Sequence, residues 1–507
     1  MRTKASINNI VFNLGGNLIN SLLMFISRTV FINTLGTTYL GLNGLLTNIL
    51  SMLSLTELGV GTAISFSLYK PIAEKDHKKV ISIMAFYKKA YRYIGLLVFI
   101  SGLIVMPFLK YIIKDYNLID KLYVIYLLYL VNTAYTYLFT YKRTLITADQ
   151  KGYKLVPFTT VFKIITIVLQ IIVLILTKSF IIYLVIQLIT SLFENIVVNI
   201  YIDKKYPILN NKSEKIDERE LKVIVKNIKA MMFHKIGDFC INSTDNMIIS
   251  AFISVTVVGI YSNYLMIINM INQFVMIFFN GLTASLGNLI AQEGKEKNFK
   301  IFNIIDFIGF WIYGFVTVCF YNLINPFITL WVGPQNLLSK EIVIVVILNY
   351  YLTGMRVSVS TIKGAAGLYD DDKYIPIIQS VINLVISLVL VKEIGLMGVF
   401  VGTLISSVVL PCWYRPMLIY KKIFKVSPIK YFVKYFKYLF IVVINILVTS
   451  TLINLTCSTL NIFTFIIMVL ISSVVPNIII ILIFWKSEEF KYLLDTATNI
   501  LRRNLNG

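Results

Sequence analysis

The chain has 507 residues, 57% of them hydrophobic and 14% charged, and its mean hydropathy is +0.79. Soluble chains carry about 25% charged residues, and a spanning helix needs roughly 20 apolar ones, so the apolar content suffices for about fourteen spans and excludes a soluble fold. Lys and Arg number 47 against 25 Asp and Glu, a net +22 whose first explanation in so apolar a chain is the bias of basic residues toward cytoplasmic loops.

Apolar runs separated by charged or Gly/Pro-rich breaks predict spans near 10–34, 41–68, 92–109, 121–146, 156–177, 180–202, 228–253, 257–288, 303–329, 342–367, 376–391, 395–414, 434–456 and 462–485. If the N-terminus is cytoplasmic and the chain alternates sides, 38 of the 47 basic residues fall inside, six outside and three within spans. That asymmetry places both termini in the cytoplasm. The outer loops are too short for a folded catalytic domain, so a transporter is expected rather than an enzyme.

The longest polar stretch, near 204–227, reads as a cytoplasmic linker between an N-lobe at 1–203 and a C-lobe at 228–416, with two further spans and a tail at 417–507. A repeat supports the halving. At a constant offset Gly41 falls on Gly259, Ser67 on Ser285, and the charged loop after Ala73 on the one after Ala291. An even number of spans separates the equivalents, so the repeat is parallel, about an axis along the membrane normal. The expected fold is therefore all-α and polytopic, two six-helix lobes related by a pseudo-two-fold plus two C-terminal helices.

Function is read from polar residues that lipid rejects. At 100° per residue, Asn13, Asn17, Asn20, Ser27 and Arg28 share one face of the first span, and Asn43, Thr47, Ser54, Glu57 and Gly61 one face of the second. The seventh aligns His234, Lys235, Asp238, Asn242 and Asp245; the eighth Ser262, Asn269, Gln273 and Asn280; the tenth Asn349, Thr353, Arg356, Ser360 and Lys363. Such stripes predict a water-filled cavity between the lobes. Arg28, Arg356 and Lys163 are the basic residues inside spans, and a buried cation is best explained by a visiting anion. The offset sets Arg28 at the depth of Asp245, which predicts an outer gate pairing them.

Other features carry less. The four cysteines lie far apart and read as core residues, and His77 and His234 are too few for a histidine metal centre. Asp370-Asp371-Asp372 reads as a loop. The lysines from Lys421 to Lys437 read as an interfacial helix on anionic lipid headgroups rather than a nucleic-acid patch. No Walker-type phosphate loop occurs, and no cofactor is expected.

The sequence resembles the Wzx-type polysaccharide flippases of the multidrug/oligosaccharidyl-lipid/polysaccharide exporter superfamily. The residues that carry the resemblance are Phe31 through Gly36, Leu40 through Leu45, Leu55 through Ala63, Lys235-Ile236-Gly237, Thr244-Asp245-Asn246 and Val258 through Tyr264. It implies a two-lobed bundle with a central cationic cavity in the bacterial cytoplasmic membrane. By alternating access this would carry an undecaprenyl-diphosphate-linked oligosaccharide outward for capsule or surface polysaccharide export, coupled to an H+ or Na+ gradient. The family's cavity cations fall on Arg28 and Arg356, with Lys163 a further one. Glu57, His234, Asp238 and Asp245 are the gate or coupling candidates, and Asn17, Asn20, Asn43, Asn242, Asn269, Gln273 and Asn349 the sugar-facing ones. Expected partners are the lipid-linked oligosaccharide, membrane lipids and the polysaccharide polymerase machinery, with no nucleic acid. The alternatives are an ion-coupled multidrug exporter of the same superfamily and a membrane glycan polymerase or ligase.

Overall fold

The computed structural model describes residues 2–57, 60–210, 216, 221–222, 224–225, 228, 244–368 and 370–505. Among these there is no strand. The principal helices are α1 (Arg2–Leu53), α2 (Val60–Glu74), α3 (His77–Val105), α4 (Leu122–Ala148), α5 (Val156–Thr177), α6 (Phe180–Lys205), α7 (244–252) and α8 (Val255–Gln292). They continue as α9 (Lys295–Val332), α10 (Lys340–Met355), α11 (Val357–Ala365), α12 (Ile375–Ile394), α13 (Leu396–Val409), α14 (Pro411–Ile419), α15 (Ile429–Thr456), α16 (Ile462–Phe484) and α17 (Glu488–Leu505).

Twelve helical stretches among the described residues are long and apolar enough to cross a membrane. One of them, Ile19–Leu53, carries the first expected span and part of the second, because α1 runs through a break at Gly36. There φ is 81° and ψ 176°, a conformation open to glycine and strained for other residues. The expected seventh span lies largely outside the described residues. Twelve among the described residues is thus close to the fourteen expected.

Several boundaries move. The second expected span is not one helix: α1 ends at Leu53, a 3-10 turn spans Ser54–Glu57, and α2 begins at Val60. The third begins at His77, well before its apolar stretch, because Asp76 caps α3 by accepting from the Lys79 N–H at 3.0 Å. Nothing in the basic turns that follow interrupts the helix. The lysine-rich stretch near 421–437 is no separate interfacial helix. A π-helical turn at Tyr420–Phe424 stops at Lys425 in the left-handed region, and α15 starts after Pro428.

The chain divides into two compact units, Met1–Ser262 and Asn263–Gly507. In the first, α3 packs on α4, α4 on α6, and α5 on both α6 and α1. Val80, Met84, Tyr87, Tyr91 and Leu145 form its core together with Ile224 from the expected linker. The outer face of α5 exposes Val161, Ile165, Val168, Ile172 and Leu176, an apolar stripe suited to lipid.

In the second unit α9 is central, flanked by α10, α15 and α16. Phe310 stacks on Tyr438 with centroids 3.9 Å apart. The acidic triplet, read as a loop, forms a short 3-10 turn and is a structural staple: Asp372 takes Lys363 and Arg415, and Asp371 takes Lys422.

Candidate functional site

α1 and α8 cross at two glycines within the first unit. A Cβ on Gly41 would lie 1.9 Å from the Val255 carbonyl oxygen, and one on Gly259 2.0 Å from that of Thr37. Neither position has room for a side chain. Thr38 and Thr256 share a 2.9 Å hydrogen bond at the same crossing. Gly41 and Gly259, Thr37 and Val255, and Thr38 and Thr256 are all pairs 218 apart. Residues equivalent in the sequence repeat thus meet their own counterparts, the contact pattern of a local two-fold axis.

This close approach sets Ser262, one turn beyond Gly259, against Arg28. The Ser262 hydroxyl donates to the Gly259 carbonyl at 2.7 Å, which leaves its oxygen lone pairs to accept from Arg28 Nη2. The half-buried Arg28 makes no ion pair among the described residues, and its buried Nε–H has no hydrogen-bond partner there. Tyr183 of α6 shares a hydrogen bond with Ser27 and lies within electrostatic reach of the guanidinium. Phe31 and Phe180 wall the group, Phe31 lying 5.3 Å from the Tyr183 ring and 5.6 Å from Phe180. Tyr129 lies electrostatically close to Tyr183 and donates to Asn43 Oδ1. The result is a cation ringed by neutral hydroxyls and aromatic faces. Such a site can accept an anion's oxygens on a guanidinium fork.

The other expected cations stand apart from it. Lys163 is half-buried on α5 and feels Glu194, which Arg143 already holds at 2.9 Å. Gly16 packs beside Val156 and Thr160, so α1 and α5 run in register there. Counting along α1 at 1.5 Å per residue from these two contacts, Lys163 lies roughly 8–13 Å along the helix from Arg28. Arg356 belongs to the second unit, at the break between α10 and α11. It is 7% exposed, bonded back to Leu352 O (3.1 Å) and Thr353 Oγ1 (3.2 Å), and makes no ion pair among the described residues.

Glu57 sits in the 3-10 turn and accepts from the Tyr91 hydroxyl, with Tyr137 also in hydrogen-bonding reach. Gly61 makes room for this group, since a Cβ there would lie 2.9 Å from the Tyr91 hydroxyl and 3.0 Å from that of Tyr87. Asp245 acts on Tyr261, the neighbour of Ser262, so Arg28 and Asp245 converge on one turn of α8. Asn20 Oδ1 is buried without a partner among the described residues. Asn269 and Gln273 are exposed, and fall with the exposed Asn280 on one face of α8. Asn349 ties α10 to α13 by donating to Phe400 O at 2.9 Å. His234, Asp238, Asn242 and the Asn17 side chain lie outside the described residues.

Sequence reading missed Tyr183, Tyr129 and Tyr91, because tyrosine counts as apolar in hydropathy while its hydroxyl does polar work. It also missed Asp306, an acid inside the apolar run that forms α9.

The site therefore lies in an all-α polytopic membrane protein, on a half-buried arginine without an acidic partner among the described residues. Residues 6–282 match the model of the family described as "Polysaccharide biosynthesis protein", and the chain belongs to that family. No curated protein sequence matches significantly. Among solved structures, a lipid II flippase MurJ in an inward closed conformation is similar at TM-score 0.67 and 16% identity, covering 94% of this chain and 99% of that one. An inward-facing multidrug resistance MATE family transporter of the MOP superfamily is similar at TM-score 0.59 and 13% identity, covering 81% and 98%. A MOP superfamily transporter from Pyrococcus furiosus follows at TM-score 0.52 and 13% identity, covering 84% and 97%. The fold is that of these proteins.

Proposed function

We propose that the protein is a flippase of the bacterial cytoplasmic membrane. Its cargo is an undecaprenyl-diphosphate-linked oligosaccharide unit, moved outward by alternating access for capsule or surface polysaccharide export. The observation that carries this reading is Arg28, half-buried in a spanning helix with no ion pair and a free Nε–H among the described residues. A cation at such a depth costs about 2.5–3.5 kcal/mol on insertion scales, a cost offset when an anion binds. A diphosphate has the charge and oxygen geometry for the guanidinium. The family membership supports a role in polysaccharide assembly, and the MurJ named among the fold relatives is a lipid II flippase. A cationic drug, the expected cargo of a multidrug exporter, would be repelled by Arg28.

In this reading Arg356 and Lys163 meet the diphosphate at other stages of the passage. The exposed Asn269 and Gln273 face sugar hydroxyls, and Glu57 and Asp245 serve gating or coupling. Deleting the gene should cause a lipid-linked glycan to accumulate on the inner leaflet, seen by mass spectrometry of extracted lipids. Wild-type protein should clear it, and Arg28→Ala, inserted at the same level, should not. Clearance by Arg28→Ala equal to wild type would overturn the binding role.

A further inference from the structure

Asp306 lies in the first third of α9 and is 2% exposed. Its Oδ1 accepts from Ser358 of α11 at 2.8 Å. Among the described residues the one cation within ion-pair distance is Lys434 of α15, whose Nζ is 4.0 Å from Oδ2. That ammonium is held more closely elsewhere: it lies 3.2 Å from Glu489 of α17 and 3.4 Å from both oxygens of Asn303. The other groups that face Asp306 are phenols: Tyr351 of α10, Tyr420 of the π-helical turn, and Tyr431, Tyr435 and Tyr438 of α15.

Two carboxylates therefore share one ammonium. With both ionised, one negative charge stays uncompensated, and the acid that lacks water to solvate it is Asp306. A proton on Asp306 removes that charge. A metal cation is a poorer solution. Sodium-sized ions need a shell of several oxygens, and Lys434 already occupies the approach to Oδ2.

We propose that Asp306 is a proton-binding site that exchanges with solvent through Lys434 and the half-buried Glu489. Lys434 Nζ first closes its 4.0 Å separation from Asp306 Oδ2 to hydrogen-bond distance; its N–H then breaks as the O–H forms at Oδ2, and the neutral amine regains a proton from solvent hydronium relayed by the Glu489 carboxyl. The site also touches the seat of the C-terminal helix. Phe490, next to Glu489, stacks on Trp311 of α9 at 5.9 Å. That the proton drives transport rests on the flippase reading; that Asp306 binds it does not.

The test is infrared difference spectroscopy of the full-length protein in phospholipid, without substrate, titrated between about pH 5 and 8. Wild type should show the carbonyl stretch of a protonated carboxyl, and Asp306→Asn should lose it. Removing the competing negative charge in Glu489→Gln frees Lys434 for Asp306, so the midpoint should fall by about one pH unit. Lys434→Met should raise it. A wild-type spectrum from Asp306→Asn would overturn the proposal. So would a carboxylate band that responds to sodium at fixed pH and never to protons. If Asp306→Asn does not fold, the Glu489→Gln midpoint decides, and an unshifted one refutes the site. Because no cargo is present, these results are separate from success or failure of the flippase reading.

Discussion

Arg28 and Ser262 form a bond whose two partners need each other. The Ser262 hydrogen is committed to the Gly259 carbonyl, so its oxygen can only accept, and the guanidinium can only donate. Ser262→Ala leaves the guanidinium short of an acceptor, a loss of about 1–3 kcal/mol for a buried polar group. The thermal midpoint of the purified variant should fall by a few degrees. Added inorganic diphosphate should restore it in Ser262→Ala, where the guanidinium remains, and have no effect in Arg28→Ala. Equal response of both variants would mean that the anion binds elsewhere. Arg28 was legible in the sequence because a charge inside an apolar run stands out. Its surroundings were not, because Tyr183 and Tyr129 are invisible to hydropathy and Ser262 arrives from a distant helix.

At the level of elements, the α1–α8 crossing depends on two positions that tolerate only hydrogen. Gly41→Ala or Gly259→Ala places a methyl group into a carbonyl oxygen, overpacking that costs typically 1–3 kcal/mol and forces the helices apart. A cysteine pair replacing Thr38 and Thr256, now 2.9 Å apart at their hydroxyls, should cross-link readily in the parent and poorly in either alanine variant. Undiminished cross-linking would show that the crossing absorbs the methyl. The sequence repeat already paired Gly41 with Gly259, so this element was half visible in advance. That the equivalents touch follows from packing and could not be read from spacing. The interruption of the second span was missed for a related reason. Its polar residues fall on one helical face and so read as a single helix, while at the 3-10 turn Ser54–Glu57 the Glu57 side chain meets tyrosines of α3 and α4.

For the whole molecule, composition alone defined an all-α membrane protein. The twelve candidate spans among the described residues are close to the fourteen expected, and the Gly36 break lets one of them carry the first expected span and part of the second. If both termini are cytoplasmic, as the sequence predicts, 38 basic residues fall inside against six outside, and most of the +22 reflects orientation. What orientation leaves unexplained is a handful of charges within the spans, of which Arg28 is the one proposed to receive the anion. The most direct measurement is translocation by the purified protein in proteoliposomes carrying an undecaprenyl-diphosphate-linked fluorescent oligosaccharide, scored by a membrane-impermeant quencher. Wild type should move the label to the opposite leaflet, and Arg28→Ala should match protein-free vesicles. Translocation at the same rate by wild type and Arg28→Ala, or none above protein-free vesicles by wild type, would contradict the account.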